Sequence, residues 1–282
     1  MKRTLVFFAV LLIALGAFAQ NVPETNPNTH HFAPRGWARP GGGGGSNLIY
    51  HTGGQVIISA KAVEIFWGDF STAESGYTTA LQNFRNQFGT NPEYNVITQY
   101  YQNVGSGNQN ITPASLGSGT ADWFDTTNPV PTNVTDADVQ AEVNRYLASH
   151  TFDASTIYEV FIPSTSYSSD GTSTSCGGPN LAYCAYHGHF TNSVGQDVKY
   201  SIQPYASCSG CSSFNDPIFD EEHFVCHETR EAVTDENLNA WFDRRGNEAD
   251  DKCAWSPAPF LDGGYAYQYE WSNAAGGCVQ KQ

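Results

Sequence analysis

The order in which β-branched runs and amphipathic stretches follow one another admits few architectures for this chain. Residues 55–67 (QVIISAKAVEIFW) are β-branched and aromatic and read as a strand or a bent pair of strands. Tyr77, Leu81, Phe84 and Phe88 then recur at i, i+4, i+7 and i+11 before Gly89, the spacing of an amphipathic helix with a glycine stop. Residues 94–104 read as extended. Thr135 and Asp138 resemble a capping box that opens a helix through Val139, Val143 and Leu147. Residues 157–162 (IYEVFI) predict a central strand. Residues 181–190 and 198–204 predict two more, with a turn over 192–196. Pro217 opens a last helix whose first turn is acidic (Asp220, Glu221, Glu222), as the helix dipole prefers. Early alternation, then adjacent strands, then a polar helix predict an α/β or α+β single domain with one mixed sheet.

The ends of the chain bound where it works. Lys2 and Arg3 precede an apolar run over 5–18, and Ala17-Phe18-Ala19 supplies small residues for cleavage before Gln20. Residues 1–19 therefore predict a signal peptide, too short to be kept as a membrane span, and no later segment is apolar enough to cross a membrane. Residues 20–47, rich in Pro, Asn and Gly and carrying Gly41 to Gly45, read as a flexible linker. Residues 48–282, about 235 residues, suffice for one core. Loss of Lys2 and Arg3 moves the formal charge from −15 to −17, two basic residues fewer. So acidic a chain repels nucleic acid and anionic lipid. The expectation is a secreted monomer, extracellular or periplasmic. All seven cysteines lie between Cys176 and Cys278, and pairing by proximity predicts Cys176–Cys184, Cys208–Cys211 and Cys253–Cys278, with Cys226 a buried thiol.

Residues 223–241 (HFVCHETREAVTDENLNAW) concentrate the chemistry. His227 and Glu231 are four apart, so a helix projects both from one face within about 6 Å and lets them grip one ion. Glu228 stands beside His227, where it can take a proton from the attacking water. This is the layout of His-Glu-x-x-His zinc enzymes with a carboxylate in place of the second imidazole. His223 also lies four before His227, but eight residues of helix rise about 12 Å, too far to share an ion with bonds of about 2 Å. The pair His223/His227 would have Phe224 in the base position, so His227/Glu231 is the better pair. Glu248, brought back by a helix–turn–helix return, supplies a third ligand, and Asp250 or Asp251 can hold the His227 imidazole from behind. The bland alternative is a solvated acidic helix face. Zinc is the expected ion, and carboxylate-rich ligation also admits Mn2+ or Ca2+.

His227-Glu228-x-x-Glu231-Ala232-Val233-Thr234-Asp235, followed by Asn247-Glu248-Ala249, resembles the active-site helix and Asn-Glu-Ala segment of gluzincin (thermolysin-like) metallopeptidases, departing at Glu231 where that family has His. Over more of the chain the sequence resembles the phosphate-induced-protein (EXORDIUM-like) family and its bacterial secreted relatives. The likeness is carried by YHTGGQVIISAKAVEIFWGDF (50–70), CAYHGHF (184–190), HETREAVTDENLNAWFD (227–243) and YEWSNAAGGC (269–278). It is poor between 105 and 130. The resemblance implies a zincin-like fold and a metal site, in a family generally described as extracellular or cell-wall proteins.

A hydrolase also needs a donor for the oxyanion. His187 is the candidate, with His189 and Tyr265 as alternates. The resulting reading is a secreted zinc-dependent metallopeptidase-like protein acting on a peptide or extracellular protein, with Glu228 as general base. The rival is a non-catalytic extracellular binding protein with a structural or vestigial metal site. Trp67, Tyr77, Trp123, Trp241 and Trp271 read as core or cleft walls, although carbohydrate binding stays open for so aromatic an exported chain.

Overall fold

In Lys61–Trp67 and Thr156–Ile162 successive side chains point to opposite faces of one sheet, and both faces are covered. The computed structural model describes residues 26–37, 46–105 and 107–282. The signal-peptide reading over 1–19 lies outside these, as do 20–25 and 38–45 of the expected linker. The main sheet contains β1 (Thr29–His31), β2 (Lys61–Trp67), β3 (Trp123–Asp125), β4 (Thr156–Ile162), β5 (Tyr186–Thr191) and β6 (Asp197–Pro204), in the order β1-β5-β6-β4-β2-β3. Strands β6, β4, β2 and β3 are parallel, and β5 runs antiparallel to both β6 and β1. The sheet is mixed, as the element order predicts.

Three helices cover it among the described residues. α2 (Asp136–Leu147) starts at the predicted capping box of Thr135 and Asp138. Its Val139, Val143 and Tyr146 pack on Val63, Ile65, Tyr158, Val160 and Ile162 of one face. α1 (Tyr77–Phe88) and α3 (Pro217–Thr234) cover the other face. There Leu81, Phe84, Phe88, Val225, Ala232 and Val233 meet Ala62, Phe66, Ile157 and Phe161. Truncating a fully buried ring such as Phe84 to Ala would cost about 3–5 kcal/mol.

One cross-strand row breaks that apolar face. His30 pairs with His187, His187 with Ser201, Ser201 with Glu159 and Glu159 with Glu64, in unbroken register across five strands. All five are buried. Thr229 of α3 donates to Glu159 at 2.7 Å, and the Arg85 guanidinium of α1 lies 3.9 Å from Glu64. The row therefore runs beneath α3, and its histidine end leads to the candidate site.

Several local expectations are corrected. Residues 94–104 are not extended throughout: Tyr94–Gln99 is a 3-10 helix, begun where the Asn91 side chain accepts the Tyr94 N–H at 2.9 Å, and only Tyr101–Asn103 is a strand. The expected linker contains β1. Residues 26–37 dock as a strap, with the Phe32 N–H donating to Ala185 O at 3.0 Å and the Arg35 N–H to Gly210 O at 2.7 Å. Gly188 permits this approach, because a Cβ there would stand 2.4 Å from the Asn28 carbonyl oxygen. The cysteine pairs are Cys176–Cys208, Cys184–Cys211 and Cys253–Cys278, with Cys226 free and buried. The two local pairings fail because the short 3-10 turn Ser209–Cys211 presents Cys208 and Cys211 to two different neighbours. Among the described residues no helix is long and apolar enough to cross a membrane.

Candidate metal centre

α3 opens on Asp216, whose carboxylate accepts the N–H groups of Ile218 and Phe219 at 3.0 and 3.2 Å, with Pro217 in the first helical position. It is not a solvated face: every residue from 220 to 234 is buried. The acidic first turn is also engaged beyond the helix dipole. Asp220 accepts the Ser213 and Phe214 N–H groups, and Glu222 accepts that of Ala266.

The orientation of His227 follows from Gln268. The Gln268 amide Nε2 donates to Asp250 O at 2.9 Å and to Asp250 Oδ1 at 2.7 Å, so its Oε1 is an acceptor. That oxygen takes His223 Nε2–H at 2.8 Å and His227 Nδ1–H at 3.1 Å. Asp250 is held in turn by Arg230, which also reaches Glu270 at 2.8 Å. With Nδ1 donating, His227 directs Nε2 at Glu231 Oε2, 3.1 Å away. Neither atom completes a hydrogen bond among the described residues. Phe32 of the strap stacks on the His227 ring at 4.0 Å and fixes its plane.

A second imidazole is set the same way. His30 Nε2 meets Asp251 Oδ2 at 2.8 Å and presents Nδ1 to Glu248 Oε1 at 3.5 Å. The turn carrying both acids is tied to α3, since the Asp251 N–H donates to Glu231 Oε1 at 3.0 Å and the Glu248 N–H to Asp251 Oδ2 at 3.1 Å. No second helix brings Glu248 back. The return is made by the short strand Trp241–Phe242 and the 3-10 turn Asp251–Cys253, the latter stapled by Cys253–Cys278. His187 lies between these groups, with Nδ1 3.2 Å from Glu228 and 3.8 Å from Glu231, and Nε2 3.8 Å from Glu248.

The charge balance is one-sided. Glu228, Glu231, Glu248 and Asp251 converge with side chains at most 2% exposed, while Arg230, the one Lys or Arg of α3, is committed to Asp250 and Glu270. Burial alone would lower His227, but the Glu231 carboxylate, then Glu228 and Asp250, outweigh it and raise the imidazole to about 10. Burial likewise raises Glu231, with Asp251 adding to the shift. His223 goes the other way, burial lowering it to about 3, so it serves as a neutral donor to Gln268. The site favours positive charge, and its imidazole and carboxylate atoms are of the kinds that could hold a divalent cation. Two ligand atoms about 2.0–2.2 Å from a tetrahedral ion stand about 3.3–3.6 Å apart, close to the separations found here.

His30–Glu231–Glu248, His187–Glu228–Glu231 and His227–Glu231–Asp251 each offer ligand atoms within 4.8 Å of one another. Of the residues singled out in the sequence, Glu231 is common to all three sets, with His227 and Glu248 in different ones. His187 stands beside Glu228 among the carboxylates. The alternates do not join them: His189 pairs with Asp197 at 3.2 Å, and Tyr265 packs toward Phe84 at 5.9 Å. Sequence reading missed His30 and Gln268. His30 sits in a segment without apolar periodicity, and its one signal is the His30-His31 pair itself. Gln268, 41 residues from His227, belongs to no motif. A cavity of about 350 Å3 lined by Asn26, Pro27, Leu238, Phe242 and others reaches His30 and Glu248 from outside. No family model, curated protein or solved structure matches the chain.

Proposed function

We propose that this chain is an exported, zincin-like metal-dependent hydrolase acting on peptide carbonyls, its ion held at Glu231 with His227. The observation that carries this reading is the His227 Nε2 to Glu231 Oε2 approach of 3.1 Å, both atoms buried and, among the described residues, facing each other without a completed hydrogen bond, with His227 clamped through its other nitrogen by Gln268. Zinc is the first candidate, with Mn2+ or Ca2+ admitted by the carboxylates. When bound, the ion supplies Lewis acidity for the substrate carbonyl and for the attacking water. Glu228 takes the proton from that water and returns it to the leaving amine. His187 Nδ1, 3.2 Å from Glu228, holds the carboxylate in place and can share the proton. The cavity beside His30 and Glu248 admits a peptide segment, and Phe242 and Leu238 offer its side chains apolar contact. Three disulfides suit an oxidising compartment.

A structural metal centre in a non-catalytic extracellular protein is the second reading. The observation favouring it is the burial of Glu228, which is 0% exposed beneath the strap. Glu228→Gln separates the two. In the hydrolase, turnover of a peptide library falls at least about a hundredfold while metal content and unfolding midpoint hold. Absence of any cleavage by the zinc-loaded wild type, or cleavage undiminished in the variant, would leave the structural reading.

A further inference from the structure

We propose that the cavity beside the candidate metal centre is a specificity subsite for a lysine side chain of the substrate, with Asp235 receiving the ammonium. This rests on the peptide-hydrolase reading above and adds a substrate class to it.

Asp235 carries the argument. It follows the last residue of α3 and lines the cavity together with Pro27, Leu238, Phe242 and Glu248. Its Oδ1 accepts the N–H groups of Asn239 and Ala240, the latter at 2.6 Å, and so closes the turn that leaves the helix. Its Oδ2 is buried and completes no hydrogen bond among the described residues. The turn needs one acceptor oxygen, which an asparagine would supply as well. A carboxylate is locally unfavourable here, because it stands at the negative end of an 18-residue helix whose last turn holds no basic residue. The residue is 0% exposed, and burial outweighs its two N–H donors and the nearby His30, raising the carboxyl to about 7. A cation brought to Oδ2 satisfies that oxygen, complements the helix end and offsets the burial.

The walls select which cation. Pro27, Leu238 and Phe242 are apolar, and the cavity of about 350 Å3 has room for an aliphatic stem with its charged head beside a carboxylate. One oxygen is on offer, since Oδ1 is committed to the backbone. A guanidinium binds best as a fork to both oxygens of a carboxylate, whereas an ammonium is a compact charge that one oxygen can receive. Lysine therefore fits better than arginine. Glu248, on the same wall, belongs to the candidate metal centre, so a lysine seated here lies next to the bond under attack. A formal net charge of −15 favours the approach of such a basic peptide.

The test measures binding to the purified full chain by calorimetry, with Nα-acetyl-lysine amide as probe. Nα-acetyl-norleucine amide, which lacks the ammonium, and Nα-acetyl-arginine amide are the comparisons. The lysine probe should bind at least about tenfold more tightly than either, and Asp235→Asn, which keeps the turn's acceptor, should abolish that preference. Should Asp235→Asn not fold, Leu238→Lys, on the half-buried turn at the cavity wall, should block the probe by supplying the chain's own ammonium. Equal binding of the lysine and norleucine probes, no binding of any, or a preference untouched by either variant overturns the subsite. An arginine probe that binds as tightly overturns the lysine assignment. Norleucine amide with a free α-amine, binding as tightly as the lysine probe, would assign the cavity to a peptide N-terminus and overturn it too. Lysine binding without cleavage of any library peptide sinks the hydrolase reading and leaves the subsite. Cleavage without a lysine preference at any position does the reverse.

Discussion

Gln268→Leu is the perturbation that reaches furthest into this site, because one neutral amide sets the direction of two imidazoles. Leucine keeps the volume but removes the acceptor of His223 Nε2–H and His227 Nδ1–H and the donor to Asp250. All three partners are 0% exposed. Each buried polar group left unsatisfied costs about 1–3 kcal/mol, so with some relaxation the metal-free protein should lose about 4 kcal/mol. His227 would also be free to turn or to change tautomer. Loss of such an orienting partner typically weakens metal binding about 10–100-fold, which is about 1.4–2.7 kcal/mol. Urea unfolding in chelator reads the first quantity, and competition for zinc against a chromophoric chelator reads the second. Gln268→Glu is the control. It keeps the acceptor and so retains His227, and it loses stability from the new carboxylate beside Asp250. The reasoning is refuted if Gln268→Leu folds and binds zinc within twofold of wild type.

Three further outcomes follow from burial and packing. Burial raises Glu159 from 4.5 to about 7, so the folded state holds its proton longer, and the wild type loses stability as pH rises from about 4.5 through 7, by up to about 3 kcal/mol. Glu159→Gln lacks that loss and should be the more stable protein at pH 8 but not at pH 4, as urea unfolding across pH will show. Burial pushes the Cys226 thiol up to about 12, so iodoacetamide at pH 8 should label it only after denaturation, and native-state labelling would contradict its placement. Gly188→Ala sets a methyl 2.4 Å from Asn28 O; hydrogen exchange over residues 26–37 should accelerate while that of α1 is unchanged.

What the sequence reveals and what it hides have physical reasons. α1 is legible because Leu81, Phe84 and Phe88 bury one stripe, and α2 because Thr135 and Asp138 cap it reciprocally. The helix α3 is legible from Pro217 and from the His227/Glu231 spacing, yet its burial is not, since its polar residues are satisfied by partners far along the chain. The polar row had a signal: Glu64 in KAVEIFW and Glu159 in TIYEVFI each interrupt an apolar strand. His30 had almost none. A strand of three residues carries no periodicity, and it exists only because β5 offers an edge and Gly188 the room. The crossed pairs Cys176–Cys208 and Cys184–Cys211 depend on which loops meet in space, which local spacing does not encode.

The most direct measurement of the central claim is the metal content of the purified, dialysed protein by plasma mass spectrometry, wild type beside Glu231→Ala. Because Glu231 belongs to all three histidine–carboxylate sets of the site, the wild type should carry bound divalent metal and Glu231→Ala should carry essentially none. A wild type without metal even after zinc is added back, or a folded Glu231→Ala that keeps the wild-type content, would contradict the account.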